Sequence, residues 1–450
     1  MSVTPAQLES VEYDDAPVRL FHLRVAIGAS GGEFSDGFGL GIIGIALSLA
    51  TPALHLTALW TGLIAGASLV GIFVGALFAG PAADRLGRRP VFACNMAVLG
   101  ALSLLQVLAR SSVQLLALRL AIGVILGTDY AVNKPMLIEF TPRRIRGKLL
   151  GMLSVAWAVG YACAYFIGFA LQSEGPDAWR WMLLSSAAPC LLVLPLRVTV
   201  PETPLWLMRH GQTKKAARIV RERLGANVAL PVCRPDALNG QHRWRKLFSP
   251  AWRQRTLLGC AFFSCLVIPY FAVGTFVSQV LSAMSLQSPY GGGLVYNLTL
   301  LAGGIAGMLV ADHLSRRRFL IGSFAVAAAT MLVLTLWRAA PAIAVTILFA
   351  LFAGVLSAAS NLVYVYLPEL FPTELRASGI GLSSAVSRIG SAVSTFLLPV
   401  VVAAYGIRSA LAACVAVLAI GALICQRWAP ETGQLRLAEL DQGSSAPANG

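Results

Sequence analysis

The sequence predicts an all-α membrane protein whose twelve transmembrane helices form two pseudo-symmetric six-helix bundles. Three observations carry that expectation: composition, recurring apolar runs and an internal duplication. Of the 450 residues, 57% are hydrophobic and 12% charged, against roughly 25% charged in ordinary soluble domains. A soluble protein of this length would expose more apolar surface than its polar residues can cover, so a soluble enzyme is excluded. Long apolar runs recur, centred near residues 42, 69, 100, 126, 160, 189, 269, 301, 328, 354, 391 and 417. About 20 such residues span a bilayer core. Within it each run must satisfy its own backbone hydrogen bonds, and a helix does so.

The duplication shows as three matched segments. Asp84-Arg-Leu-Gly-Arg-Arg89 resembles Asp312-His-Leu-Ser-Arg-Arg317, Glu139-Phe-Thr-Pro-Arg-Arg-Ile-Arg146 resembles Glu369-Leu-Phe-Pro-Thr-Glu-Leu-Arg376, and Pro201-Glu-Thr203 recurs as Pro430-Glu-Thr432. The offsets are 228, 230 and 229 residues, too uniform for chance. The expected organisation is an N-terminal segment over 1–23, one bundle over 24–200, a basic linker over 201–255, a second bundle over 256–429 and a tail over 430–450. The linker carries 12 Lys and Arg against Glu202, Glu222 and Asp236. Its part from about 204 to 224 reads as an amphipathic helix resting on an anionic membrane surface.

The net charge of +15 orients the chain and implies no nucleic-acid partner. With both termini cytoplasmic, 27 of the 35 Lys and Arg fall on the cytoplasmic side. Four (Arg110, Arg180, Arg338, Arg408) fall outside, and Arg119, Lys134, Arg197 and Arg388 lie within or at the ends of helices. That is a positive-inside pattern. The first twenty residues lack the apolar stretch of a cleavable signal. The eight cysteines, Cys233 in the linker and the rest in helices, show no metal-ligand spacing and read as packing residues. No metal or cofactor is expected.

Gly80-Pro-Ala-Ala-Asp84-Arg-Leu-Gly-Arg88-Arg89, Arg119-Leu-Ala-Ile-Gly123 followed by Glu139 to Gly147, Pro201-Glu-Thr-Pro-Leu-Trp206 and Pro368-Glu-Leu-Phe-Pro-Thr373 resemble the signatures of the major facilitator superfamily, in its sugar-porter-like branch that includes organic-ion transporters. The resemblance covers about residues 20 to 435. It implies alternating access by two rocking bundles around a central site, and a chain acting as a monomer. Three features depart from relatives. The seventh helix reads Pro269-Tyr-Phe-Ala-Val-Gly274 where sugar porters carry a Gln-Gln motif. The fifth lacks the Gly-Pro of drug antiporters. The first reads Asp36-Gly-Phe-Gly39 where many proton-coupled relatives have a second carboxylate.

A charge at the bilayer centre costs about 3 kcal/mol or more, so each one asks for a reason. Glu33 and Asp36 share one face of the first helix and, with Asp129 of the fourth, are candidates for proton coupling. Static ion pairs are the structural alternative. Lys134 is either the partner of Glu33 or Asp36, or an anion-binding group. Arg388 sits about 16 Å into its helix, near mid-membrane, and no acid in helices 7 to 12 away from the loop motifs neutralises it. A guanidinium fork matches a carboxylate, and in relatives that carry organic anions an arginine in this context lines the substrate site. Carbonyl capping, or a salt bridge to Asp36 or Asp129, is the alternative. Trp157, Tyr161, Tyr270, Tyr296, Asn297, Asn361 and Tyr364 lie at similar depths and would complete a site for a flat, aromatic or unsaturated carboxylate.

The loop motifs suggest a cytoplasmic gate. Asp84 would face a helix N-terminus of the other half, while Arg88, Arg146 and Arg376 would pair with Glu139 and Glu369 across the seam. Asp312 and Arg316 repeat the Asp84 and Arg88 positions. The expected function is proton-coupled import of a small organic anion across the inner membrane. An exporter of a metabolite or siderophore-like acid, or a sugar, polyol or organic-cation porter with Arg388 and Lys134 structural, are the other transport readings. A sensor would need a signalling domain, and no catalytic constellation points to an enzyme.

Overall fold

In the computed structural model, which describes residues 11–231, 245–284, 286, 288–310 and 314–431, twelve helices are long and apolar enough to cross a membrane. They are α1 (Leu20–Ala53), α2 (Ala58–Leu86), α3 (Arg88–Leu108), α4 (Ser112–Phe140), α5 (Arg143–Leu171), α6 (Ala178–Val198), α7 (Arg253–Thr275), α8 (Pro289–Val310), α9 (Arg316–Leu336), α10 (Ala342–Glu369), α11 (Thr373–Tyr405) and α12 (Ile407–Trp428). Local chemistry fixes several ends. Thr57, Ser111 and Ser315 cap α2, α4 and α9 by accepting from the backbone N–H groups of Trp60, Gln114 and Arg318. Gly87 and Gly406, at φ of 97° and 81°, make the tight turns between α2 and α3 and between α11 and α12. α6 and α10 are each broken once, at Ser186 and at Asn361. Among the described residues there is no strand, only an isolated bridge between Val11 and Val228.

The packing repeats with the sequence. In the first half α1 packs on α5, α2 on α4 and α3 on α6; in the second, α7 packs on α11, α8 on α10 and α9 on α12. Glycines line the second kind of contact in both halves. A Cβ on Gly123 or Gly127 would meet the backbone carbonyls of Ser68 or Ile72 in α2, and one on Gly303 would meet the Gly354 carbonyl across α8 and α10. The halves meet where α2 packs on α11 and α5 on α8.

The end of the molecule where α1 begins and α12 finishes also carries the loop motifs, and is called the motif end below. Here the linker forms short helices, Pro204–Arg209 and Thr213–Ile219, which part at Gly211 (φ 73°), and a further turn, Val220–Leu224. Its apolar face does not lie free for a membrane surface as expected. Ala216 is buried, and Val220 and Leu224 pack in one cluster with Phe21, Val25 and Phe140 of the first half. The transmembrane helices offer apolar side chains at that height, so burial against protein satisfies the stripe. Lys214, Lys215, Arg218 and Arg221 stay exposed.

Residues 11–15 strap this linker to the first half. Val11 exchanges backbone hydrogen bonds with Asn227 and Ala229, both 2.9 Å. The Tyr13 hydroxyl donates to the Glu139 carbonyl at 2.7 Å, and Asp14 and Asp15 pair with Arg146 and Arg143 at 2.6 and 2.8 Å. Burial, reinforced by the Asp14 charge, pushes the Tyr13 phenol up, so it remains a neutral donor. Asp312, Cys233 and the tail beyond Glu431 lie outside the described residues.

The glycine seam yields a packing prediction. Gly127→Leu should drive α2 and α4 apart and lower the thermal unfolding midpoint, or abolish the monodisperse size-exclusion peak, since overpacking costs about 1–3 kcal/mol. Gly322→Ala in α9, where a Cβ meets nothing within 4 Å, should leave both unchanged.

Candidate substrate site at the seam of the two halves

Helix periodicity sorts the polar residues of α4 onto two faces. Asp129 and Asn133 are four residues apart and face α1, α3 and α6; Tyr130 and Lys134, one step around, face the seam. On the first face Asp129 forms a buried bidentate ion pair with Arg197 of α6, with Nη2 to Oδ2 at 3.0 Å. Arg197 also donates to the carbonyls of Gly28 (2.9 Å) and Phe92 (3.2 Å) and to Asn133 Oδ1 (3.4 Å), and its guanidinium lies 4.1 Å from the centre of the Phe92 ring. Asn95 donates to Asp129 at 3.3 Å and accepts from Thr128 at 2.8 Å. The pair thus ties α1, α3, α4 and α6 together. Asp129, expected among the coupling carboxylates, is occupied by this structural pair. Arg197 is the residue that sequence reasoning missed. Its signal was a lone cation in the last turn of an apolar helix, within guanidinium reach of the membrane interior.

Arg119 was missed as well. It is fully buried, donates from Nη2 to the Gly39 carbonyl at 3.0 Å, and leaves Nε and Nη1 without partners.

Glu33 and Asp36 are 2% and 0% exposed, and neither joins an ion pair among the described residues. Both Asp36 oxygens and Oε1 of Glu33 are buried without hydrogen-bond partners. The ion pair allowed between Lys134 and either carboxylate is not formed, because Lys134 projects from the seam face of α4.

Lys134 instead lies over aromatic rings, 5.8 Å from the centre of Tyr130 and 5.1 Å from that of Tyr364. Arg388, from the other half, lies 5.4 Å from the Tyr130 centre and 5.6 Å from Phe271. Among the described residues no carboxylate stands within 4.0 Å of either cation, so the salt bridge weighed for Arg388 to Asp36 or Asp129 is not formed. Trp157 donates to the Tyr130 hydroxyl at 3.0 Å, stacks on Tyr161 at 5.3 Å, and approaches Tyr270 and Phe271 at 6.4 and 6.3 Å. The structure therefore brings together Lys134, Arg388, Trp157, Tyr161, Tyr270 and Tyr364, and adds Tyr130 and Phe271. The amides expected beside them serve packing. Asn361 donates to the Gly304 and Ala358 carbonyls at 2.9 and 3.2 Å, knitting the break in α10 to α8, and Asn297 donates within α8 to Gly293 at 2.8 Å. Tyr296 is buried, 1% exposed.

Among the described residues, every hydrogen bond between the halves lies at the end opposite the motifs. The Ser48 and Tyr290 hydroxyls are 3.0 Å apart, and the Tyr165 hydroxyl sits 2.6 Å from Ser278 and donates to the Tyr290 carbonyl at 3.2 Å. An uncharged cavity of about 570 Å³, lined by Thr51, Thr61, Gln279 and Val402 among others, lies at that end. Towards the motif end Tyr364 is 48% exposed and Lys134 and Arg388 are half-buried. The hydrogen bonds between the halves thus gather at one end, and the part-exposed cations and Tyr364 lie towards the other.

At the motif end the salt bridges between described residues run within each half, where pairing across the seam was expected. Arg88 pairs with Glu139, and its repeat Arg316 lies 3.9 Å from Glu369. Arg146 is held by Asp14, and Arg376 donates to the Pro368 carbonyl at 3.1 Å. The Asp84 side chain is exposed; its backbone carbonyl accepts from Trp206 at 2.9 Å. Each motif thus closes on its own bundle. The third repeat has one job in both halves. Glu202 accepts from the backbone N–H groups of Arg88 and Arg89, and Glu431 from that of Arg316 at 3.1 Å, so each caps the start of a helix.

Two pseudo-symmetric bundles meeting at a central site define a transporter of the major facilitator superfamily, sugar-porter-like and not an enzyme. The chain belongs to the family described as "Sugar (and other) transporter", whose model matches residues 23–443. It is 40% identical to the inner membrane metabolite transport protein YgcS of Escherichia coli over 95% of each chain, and 25% identical to the niacin transporter NiaP of Acinetobacter baylyi over 84% of this chain and 85% of that one. Its fold matches the xylose transporter XylE from E. coli in a partially occluded inward-open conformation, with a TM-score of 0.76 and 18% identity over 93% of this chain and 100% of that one. The protein is a multi-pass inner-membrane transporter of a small metabolite.

The buried pair yields a stability prediction. Arg197→Leu should destabilise the protein by about 3–5 kcal/mol, because it strands the Asp129 carboxylate. Adding Asp129→Leu should restore part of that loss. Thermal unfolding of the two single variants and the double in detergent checks it, a double-mutant cycle that reads the coupling directly.

Proposed function

We propose that the protein carries a small organic anion, a carboxylate, into the cell together with a proton. One observation carries this reading: Lys134 and Arg388, cations from opposite halves, converge on the Tyr130 ring with no acid among the described residues within ion-pair distance. Two such charges in a low-dielectric cleft favour an anionic ligand. The niacin transporter among the relatives supports it, since niacin is a carboxylic acid. The excess of basic loop residues at the motif end argues that both termini are cytoplasmic. The open cleft then faces the cytoplasm.

Glu33 and Asp36 supply the proton step. An unpartnered buried carboxylate is costly as an anion, so these are the groups whose charge changes most when water reaches them. A proton on Glu33 removes a negative charge that would otherwise oppose the arriving anion, so proton and anion binding reinforce each other. The substrate leaves towards the cytoplasm through the open seam, and the proton follows. Closure of the motif end then exchanges the intra-half pairs of Arg88, Glu139, Arg316 and Glu369 for contacts across the seam.

In proteoliposomes with an imposed pH gradient, Arg388→Gln should lower nicotinate uptake at least 30-fold, because removing one partner of a desolvated charge pair costs about 2–5 kcal/mol. Asp36→Asn should preserve exchange of nicotinate across the membrane but abolish its accumulation against a gradient. Undiminished uptake by Arg388→Gln would remove Arg388 from the site.

A further inference from the structure

The two free cations are held by rings in a reciprocal pattern. Lys134 of the first half reaches Tyr364 of the second, and Arg388 of the second reaches Tyr130 of the first. Each distance is within the roughly 6 Å over which a ring face attracts a cation. Lys134 is also 5.8 Å from Tyr130, so its ammonium has both tyrosines beside it, and Arg388 has both Tyr130 and Phe271. These aromatic faces stand where an anion's charge would be.

We propose that Tyr130 and Tyr364 are specificity-determining residues that select planar aromatic carboxylates over aliphatic ones. This rests on the anion reading above and names the class of anion. Any carboxylate that engages Lys134 or Arg388 draws the cation away from its ring and forfeits that contact. An aliphatic acid returns nothing for the loss. An aromatic acid returns a flat face that stacks on the exposed tyrosine, and its own π-system lies against the neighbouring cation. The half-exposed Tyr364 presents such a face on the open side. Tyr130 is held in orientation by the Trp157 hydrogen bond to its hydroxyl, and the stack of Trp157 on Tyr161 extends the flat wall. Two cations flanked by rings favour a ring bearing its acid directly, so that charge and face are engaged together.

Benzoate and cyclohexanecarboxylate separate the two contributions, since both are monoanions with six-membered rings and only benzoate is planar and aromatic. Binding is measured calorimetrically to the full chain in lipid nanodiscs. The wild type should prefer benzoate about ten-fold. Tyr130→Phe and Tyr364→Phe keep the ring and should keep most of that ratio. Tyr130→Leu and Tyr364→Leu should each reduce it to about two-fold, by weakening benzoate while cyclohexanecarboxylate binds as well or better. A structural role for the tyrosines would weaken both acids alike. Equal binding of the two acids by the wild type, or an unchanged ratio in both leucine variants, overturns the proposal, and the wild-type ratio decides alone should a leucine variant fail to fold. Arg388→Gln distinguishes the underlying reading: if neither acid binds the wild type, or if Arg388→Gln binds both as tightly, the anion site itself is wrong.

Discussion

An ion in a membrane interior must be answered by the protein or kept for use, and this constraint organises the molecule. The pair between Asp129 and Arg197 is the answered case. It is fully buried, satisfied on nearly every polar atom, and joined to backbone carbonyls of α1 and α3. By neutralising each other these residues remove one acid and one base from the electrostatics of the cleft. Of the others, Arg119 donates to the Gly39 carbonyl, Glu33 and Asp36 lie inside the first half without partners among the described residues, and Lys134 and Arg388 lie on the seam against rings. The same pair fixes the rotation of α4 about its axis, and so decides that Lys134 faces the other half rather than α1.

The duplication supplies the machine, and its broken symmetry supplies the site. Arg88 with Glu139 is repeated by Arg316 with Glu369, and the capping role of Glu202 by that of Glu431. Glycine-lined contacts recur between α2 and α4 and between α8 and α10. These are the parts needed twice for two bundles to rock. At mid-depth the halves differ: the first carries three acids and Lys134, while the second carries Arg388 and most of the remaining ring wall. In the proposed reading the buried carboxylates lie on one body, and the cations that would hold the cargo are shared between two bodies that move relative to each other.

Much of this was legible in the sequence, because the bilayer leaves so few choices. Twelve apolar runs had to be helices, and matched motifs had to end in matched places. The five intramembrane charges singled out at Glu33, Asp36, Asp129, Lys134 and Arg388 all lie in the interior. Partnership was not legible. Arg197 sits at a helix end, where a snorkelling cation is ordinary, and only the fold shows its side chain turned inward to Asp129. The polarity of Asn297 and Asn361 could not disclose that their amide N–H groups turn to local backbone carbonyls. The motif-end pairs expected across the seam are found within each half, because loop residues of like chemistry are interchangeable in sequence and which pairs form depends on the state of the seam.

The central claim is that protons and a carboxylate enter together. External pH is followed in lightly buffered, de-energised cells expressing the protein, with an empty-vector control, as carboxylates, sugars and organic cations are added in turn. The account predicts alkalinisation beyond the control with carboxylates alone. Alkalinisation driven only by a sugar or an organic cation would contradict it, and would leave Lys134 and Arg388 as structural charges.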